Sequence, residues 1–460
     1  MKVMKFGGTS VKDAGRIKST AEIIRAENEK APGLAVVLSA MKGVTDDLIS
    51  LARTAEQGDQ SYRELFSALI ERHETAVDEL FSAQDAGGVK EKMQVLFSEL
   101  KDVLHGIELV RECSPRSLDL VMSFGERLNC LQTAFYLSSH GCPAVMVDAR
   151  EIIRTDGSHG SAQVDFVVSY EKIREKLSAL TALPVITGFI GSTAEGATTT
   201  IGRNGSDFTA AIIGAGMSAD VIEIWTDVDG VLSADPKIIP HAAVIPEITI
   251  EEAMEMSFFG AEVIHPYTMI PAVENRIPIL IKNTFNPGAA GTVIKDDIKP
   301  HNRSITGIAS ISGVALINIQ GGGMLGMRGI ASRVFGALAK AEVNIIMISQ
   351  ASSEHSICIV CKEQETGRAL KELTGELSHE LEAKRIGRFE LTKNLEIVSV
   401  IGENMRGTPG ISGKLFSSLG TEKVNVLAIA QGSSERNISF VIDRKDKDSA
   451  IKTIHKSFLE

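Results

Sequence analysis

The sequence predicts an α/β fold with a mainly parallel open sheet, followed by two small ferredoxin-like βαββαβ modules. Three observations carry that expectation. Over the first 300 residues, short β-branched runs alternate with amphipathic helical stretches, the pattern of strands joined by crossover helices. A glycine pair, Gly7-Gly8, follows directly on the first short apolar strand. Beyond residue 300 the chain repeats itself at a fixed offset.

Along the first part, Val3 and Met4 open a strand that ends in Lys5-Phe6-Gly7-Gly8-Thr9-Ser10-Val11. Ala14, Ile17, Ala21 and Ile24 then recur at steps of three and four, giving one apolar helical face. Leu34 to Ser39 reads as a buried strand, and residues 50 to 110 as a charge-laced helical excursion. Val145 to Val147, Pro184 to Thr187 and Val221 to Thr226 read as later strands. Pro287, Gly288, Gly291 and Pro300 mark a composition shift, so a catalytic-sized domain is expected over 1–300.

In the second part, the segment from Asn344 to Glu354 (NIIMISQASSE) reappears 81 residues later from Asn425 to Glu435 (NVLAIAQGSSE). Gly329 and Phe335 match Gly410 and Phe416 at the same offset. Each copy reads strand, glycine loop, helix, strand, turn, strand, which predicts modules over 305–390 and 391–460, in series or interleaved. Gly321, Gly323 and Gly326 satisfy a dinucleotide-binding spacing. The second copy has Gly402, Asn404 and Gly407 there, and no acidic residue ends the next strand of the first, so the spacing is read as a ligand-approach loop.

The formal charge of −11 disfavours nucleic acid and anionic membrane as partners. The opening MKVMKFGGTS lacks the apolar core of a secretory signal, and no run reaches the ~20 apolar residues of a membrane span, so a cytoplasmic location is expected. Five scattered cysteines fit reduced thiols. Cys358 and Cys361 lie in a β-like run without a second ligand pair, so core packing is expected and no resident metal.

Four segments carry chemistry. Lys5 to Ser10 forms a phosphate cradle: Gly7 and Gly8 let backbone N–H groups approach an anion, Lys5 adds a charge, and a following helix N-terminus adds a partial one. Ser39 to Thr45 places hydroxyls after the second strand, where open α/β sheets bind ligands. Phe124-Gly125-Glu126-Arg127 is expected to open a helix, with Glu126 available to an ammonium. Gly202 to Asp207 supplies the Arg203 guanidinium for a carboxylate, with Ser206 and Asp207 entering a helix. Alone, the last three read more readily as a solvated loop serine, a surface ion pair and a helix cap than as binding groups.

Together with Trp225-Thr226-Asp227-Val228-Asp229-Gly230 and Phe259 to Pro266, these segments resemble, in order, those of the aspartokinases, and the repeat resembles that family's paired ACT modules. The resemblance covers essentially the whole chain. It implies transfer of the ATP γ-phosphoryl group to the β-carboxylate of L-aspartate, with Mg²⁺ arriving with ATP. Lys5 would then neutralise the transferring phosphoryl, with Gly7, Gly8, Thr9 and Ser10 donating around it and Asp207 organising the lysine. Ser39, Thr45, Glu126, Arg203 and Ser206 would hold aspartate, and Thr226, Asp227, Asp235 and Lys237 the nucleotide.

The resemblance also implies feedback by an amino acid, threonine ahead of lysine, through Gln350 and Gln431 with Asn344 and Asn425, and a homodimer or larger assembly. Two rival readings are a catalytically impaired amino-acid sensor and a kinase for another acceptor such as glutamate. The wording is nearest to the kinase half of bifunctional aspartokinase–homoserine dehydrogenases, and with no later Rossmann unit a monofunctional kinase is expected. One departure stands out: Glu262 occupies a position where the family pattern has a lysine near ATP, and an acid there would repel polyphosphate unless it turns away.

Overall fold

Strands buried on both faces are continuous apolar runs, and that is what the first part of the chain supplies. In this computed structural model, which describes residues 1–30, 33–260, 266–296, 298, 303–324, 329–350 and 356–460, strands β1 (Lys2–Phe6), β2 (Leu34–Leu38), β3 (Ala144–Val147) and β4 (Leu183–Thr187) are all parallel neighbours. A two-stranded ribbon follows, β5 (Ile190–Ser192) and β6 (Thr198–Thr200). The main sheet continues through β7 (Val221–Thr226), β8 (Glu247–Ile248), β9 (Ile279–Asn283) and β10 (Thr292–Ile294). Its order is β3-β4-β2-β1-β7-β9-β10-β8, with only the β9–β10 pair antiparallel. Central β1 pairs in register with both neighbours, Lys5 lying opposite Val37 and Ile224.

Helices α1 (Ala14–Lys30), α2 (Val44–Gln57), α3 (Tyr62–Leu80), α4 (Ala83–Val110) and α5 (Pro115–Ser139) share one core with Phe6, Leu38 and Trp225. α4 runs straight through Gly87 and Gly88, because Ser82 caps it and Val89, Met93, Phe97, Leu100 and Leu104 bury one stripe. Helix α6 (Phe166–Ser178) precedes α7 (Gly205–Gly216), which is buried nearly all round, as its apolar composition requires. These elements form one contact unit, residues 1–231, 244–250 and 263–297. No helix among the described residues is long and apolar enough to cross a membrane.

The second unit takes in 298–460 and two earlier segments, 232–243 and 251–262, which precede the composition shift near residue 300. Most of α8 (Ile250–Phe258) belongs to it, whereas α9 (Pro266–Glu274) belongs to the first. Ala234, Ile238 and Ile239 enter its core, which is why the segment around them groups there. Its sheet is made of β11 (Gly307–Gln320), β12 (Ile345–Gln350), β13 (Ser356–Lys362), β14 (Glu390–Ile401), β15 (Val426–Gln431) and β16 (Asn437–Asp443). The order is β12-β13-β11-β14-β16-β15, antiparallel throughout.

Helices α10 (Ile330–Lys340), α11 (Thr366–Glu376) and α12 (Ser378–Glu382) lie in the first repeat, α13 (Ile411–Thr421) and α14 (Lys447–Phe458) in the second. Long β11 and β14 serve both repeats. Ile308, Val398 and Val400 pack in one core, while Ile317, Ile319 and Leu391 pack in the other. The register shifts in β11 around Gly313, whose φ of 68° favours glycine, and there the strand passes from one core to the other. Cys358 and Cys361, three apart on β13, point to opposite faces, and Cys361 is buried in the first repeat's core.

His73 on α3 is fully buried, with its ring 6.2 Å from that of Phe97. Burial pushes its pKa from 6.5 down to about 4, and the Arg72 charge adds to the effect. Between those values the unfolded chain binds a proton that the native state refuses, so stability falls as pH drops from 6.5 towards 4. About 3 kcal/mol is at stake, at ~1.36 kcal/mol per pKa unit. Urea denaturation of His73→Leu across pH 4 to 7 is expected to show a flatter acid limb than the parent; parallel limbs would contradict it.

Candidate active site

Lys5 is the penultimate residue of β1, only 8% exposed, and its Nζ lies 2.5 Å from Asp207 Oδ1 in the first turn of α7. The ion pair ties the central strand to the helix on its flank and fixes the ammonium at the strand's C-terminal end. Gly7 and a single 3₁₀ turn (Gly8–Val11) follow. A Cβ on Gly8 would stand 3.0 Å from the Ala40 carbonyl oxygen and 3.3 Å from Lys42 Cα, so glycine lets this turn lie against the loop after β2 without displacing that backbone. The Gly7 N–H already donates to the Trp225 carbonyl at 3.3 Å.

The expected helix N-terminus behind the cradle is corrected. Helix α1 starts only at Ala14, and the Asp13 carboxylate accepts from Arg16 N–H at 2.9 Å, which occupies that end of the helix. The helix that opens into the cleft is α7. Its cap, Asn204, sits in the left-handed region at φ 53° and gives no side-chain cap bond, leaving the first N–H groups to the cleft.

Phe124 to Arg127 does not open a helix either. It lies in the middle of α5, whose start is set by the Ser114 cap and Pro115. Glu126 there is 3% exposed; Oε1 accepts from Ala40 N–H at 3.2 Å, while Oε2 has no partner among the described residues. Burial raises its pKa to about 8, against the pull of the Ala40 bond. One turn on, Asn129 Nδ2 donates to the Ser39 carbonyl at 2.7 Å, so α5 holds the β2 loop at two points.

The sequence reading missed Asp119. Its fully buried carboxylate accepts from Thr200 Oγ1 at 2.6 Å, from the Gly160 N–H at 3.0 Å, and faces His159 Nδ1 at 2.9 Å. It thereby fixes two parts of the cleft wall, Thr200 and Gly160. A signal existed: Asp119 precedes Glu126 by seven residues, two turns on one helix face.

These walls enclose a cleft of about 660 Å³. It brings together Lys5, Gly7, Gly8 and Asp207 with Ser39, Thr45, Glu126, Arg203 and Ser206. Arg203 is exposed in it, and Lys42 is a further cation of the lining. Other expected site residues lie off this lining. Ser10 is fully buried and its hydroxyl bonds that of Thr284 at 2.7 Å; Thr9 sits beside it. Thr226 ends β7 and Asp227 follows it, the Thr226 hydroxyl donating to the Asp227 carboxylate at 3.3 Å. Asp235 and Lys237 fall in the second unit, the Asp235 carboxylate accepting from Lys237 N–H at 2.9 Å.

The regulatory expectation falls on strand ends. Gln350 and Gln431 close β12 and β15, and Asn344 and Asn425 precede them, all four exposed. The Ser349 hydroxyl donates to the Ile429 carbonyl at 3.0 Å, joining the two copies. Residues 351–355 and Glu262 lie outside the described residues.

Comparison with known proteins fits this geometry. Residues 1–283 match the amino acid kinase family, and residues 317–377 and 398–458 each match the ACT domain, the two matches starting 81 residues apart. The chain is 38% identical, over 99% of its length, to the bifunctional aspartokinase/homoserine dehydrogenase 2 of Arabidopsis thaliana, of which it covers 50%. It therefore spans about half the length of the bifunctional relatives it matches. It is 35% identical to Aspartokinase 1 of the same plant and covers 80% of it. Aspartokinase III of E. coli, solved in complex with aspartate and ADP, superimposes with a TM-score of 0.82 at 28% identity, each chain covered in full. A second structure of that enzyme, with lysine and aspartate, gives 0.82 at 30% identity. On the family match over residues 1–283 and the likeness to aspartokinases over its whole length, the chain belongs to the amino acid kinase family, among its aspartokinases.

Proposed function

We propose that this chain is an aspartate kinase, making 4-phospho-L-aspartate by transfer of the ATP γ-phosphoryl group to the β-carboxylate of L-aspartate. The observation that carries the reading is one cleft holding a preorganised cation, Lys5 paired with Asp207, beside a buried carboxylate, Glu126, with a free oxygen. The β-carboxylate, with a pKa near ~3.9, is ionised at neutral pH and needs no general base. Its oxygen bonds to the γ-phosphorus as the bridging P–O bond breaks, and ADP leaves with that electron pair. The protein aligns the two anions and offsets their charge during a loose transfer.

In this reading Lys5 contacts the transferring phosphoryl, with the Gly8 turn and the open end of α7 beside it. Glu126 takes the substrate ammonium, Arg203 a carboxylate, and Ser39, Thr45 and Ser206 orient the molecule. ATP would bring Mg²⁺ as part of the substrate, and the ion would supply charge to offset that of the phosphates. Thr226, Asp227, Asp235 and Lys237 remain the proposed nucleotide contacts, with Thr9 and Ser10 supporting the turn. The ACT pair senses an amino acid at Gln350 and Gln431, threonine by likeness to the bifunctional enzymes, in a homodimer or larger assembly. Lysine is the alternative that the lysine-bound E. coli structure favours. Titration calorimetry with each amino acid separates them.

Hydroxylamine trapping of the acyl phosphate, with ATP and Mg²⁺, is expected to give product from aspartate and not from glutamate; the converse, or none from either, rejects the proposal. Lys5→Ala is expected to lower kcat about 10²–10³-fold, the scale for losing one preorganised charge-stabilising group, with little change in the aspartate KM. A loss confined to KM would reassign the lysine.

Glu126 generates a pH prediction. With a pKa of about 8 in the free protein, it is mostly protonated at pH 6 to 7 and must ionise to hold an ammonium. Aspartate affinity should therefore rise with pH up to about 8 and then level off, with close to one proton released per aspartate bound at pH 6.5. Calorimetry in buffers of different ionisation enthalpy reads that proton. Flat affinity across pH 6 to 8 would remove Glu126 from the ammonium site.

A further inference from the structure

Away from the cleft, three side chains from two distant segments of the sequence converge in the second unit. His241 Nε2 and His455 Nδ1 each lie 3.1 Å from the same carboxylate oxygen, Oε1 of Glu460. The three candidate donor atoms all fall within 4.8 Å of one another. We infer that His241, His455 and Glu460 form a binding site for a divalent transition ion of the zinc type, with three protein ligands and a fourth position open to water.

The geometry has the right scale. Ligand bonds of ~2.0–2.1 Å in a tetrahedron set neighbouring ligand atoms ~3.3 Å apart, so both 3.1 Å separations already approximate its edges. Two imidazoles and one carboxylate are a borderline donor set that suits Zn²⁺ over Mg²⁺ or Ca²⁺, which take oxygen ligands.

The site is also held in place before any ion arrives. His455 is 4% exposed in the last turn of α14, and its carbonyl accepts from the N–H groups of both Leu459 and Glu460, a turn that brings the Glu460 carboxylate to Nδ1 at the ring's edge. Leu459 is buried in the same core as Ile238 and Ile239, which anchor the segment carrying His241. An ion there would staple 232–243 to α14, adding a crosslink between residues 214 positions apart.

The test uses the full chain at pH 7.5 after chelator treatment. One equivalent of Co²⁺ is expected to give the intense visible absorption of a four-coordinate site, displaced by Zn²⁺, and Zn²⁺ at about a hundredfold excess over its Kd should raise Tm by several degrees. His241→Ala removes an exposed ring and spares the core. It should abolish the absorption and the Tm shift, with an unchanged far-ultraviolet spectrum. Glu460→Gln should weaken binding at least about tenfold. Absorption absent at one equivalent, or equal in the parent and both variants, for instance through cysteine thiolates, overturns the assignment.

Discussion

A lysine at the end of a central parallel strand has to find an anion, and the position of that anion organises the first unit. Lys5 is 8% exposed, and at that burial an unpaired ammonium would cost on the order of several kcal/mol. Asp207 meets it at 2.5 Å from the helix that packs on the same strand. The pair therefore fixes strand, helix and cleft edge together, while the remaining opening lets a more highly charged anion approach the lysine.

Glu126 shows the opposite arrangement. Where Lys5 is neutralised within the protein, Glu126 is buried with one oxygen bonded to a loop N–H and the other left free. Such a group is costly as a bare charge, and it answers by holding its proton up to about pH 8. A cation entering the cleft relieves that cost, so the same burial that penalises the empty charge favours an ammonium once bound. The cleft thus offers a cation already in place and an anion still to be satisfied. An amino acid beside a phosphoryl donor presents both complements.

In the second unit, duplication alone does not give two independent bodies. β11 and β14 are long enough to run through both cores, changing allegiance at the bulge around Gly313. The first half of β11 completes the second repeat's sheet, and the first half of β14 completes the first's. Each four-stranded set is closed by a strand from the other copy, so neither core is complete without residues from both. A displacement of either copy's strands would therefore be carried into the other's core through β11 and β14.

How much of this was legible in the sequence depends on the range over which each feature is set. Lys5, Gly8, Arg203 and the 81-residue repeat are local patterns, and the strand runs from Leu34 and Val221 declare themselves because burial on both faces demands unbroken apolar stretches. Glu126 was found, but its helix was read as starting there; the true start depends on Ser114 and Pro115, which announce a cap without announcing a length of 25 residues. Ser10 read as a cradle hydroxyl, yet it points to Thr284, a partner 274 positions away. Asp119 needed the fold to bring Thr200 and Gly160 to it. His241, His455 and Glu460 carry no spacing signal at all, because two folded segments, each anchored by its own leucine or isoleucines, supply the proximity. Side chains whose chemistry depends on a neighbour in sequence can be read from the chain; those whose neighbour is delivered by packing become visible only when the cores of the fold are known.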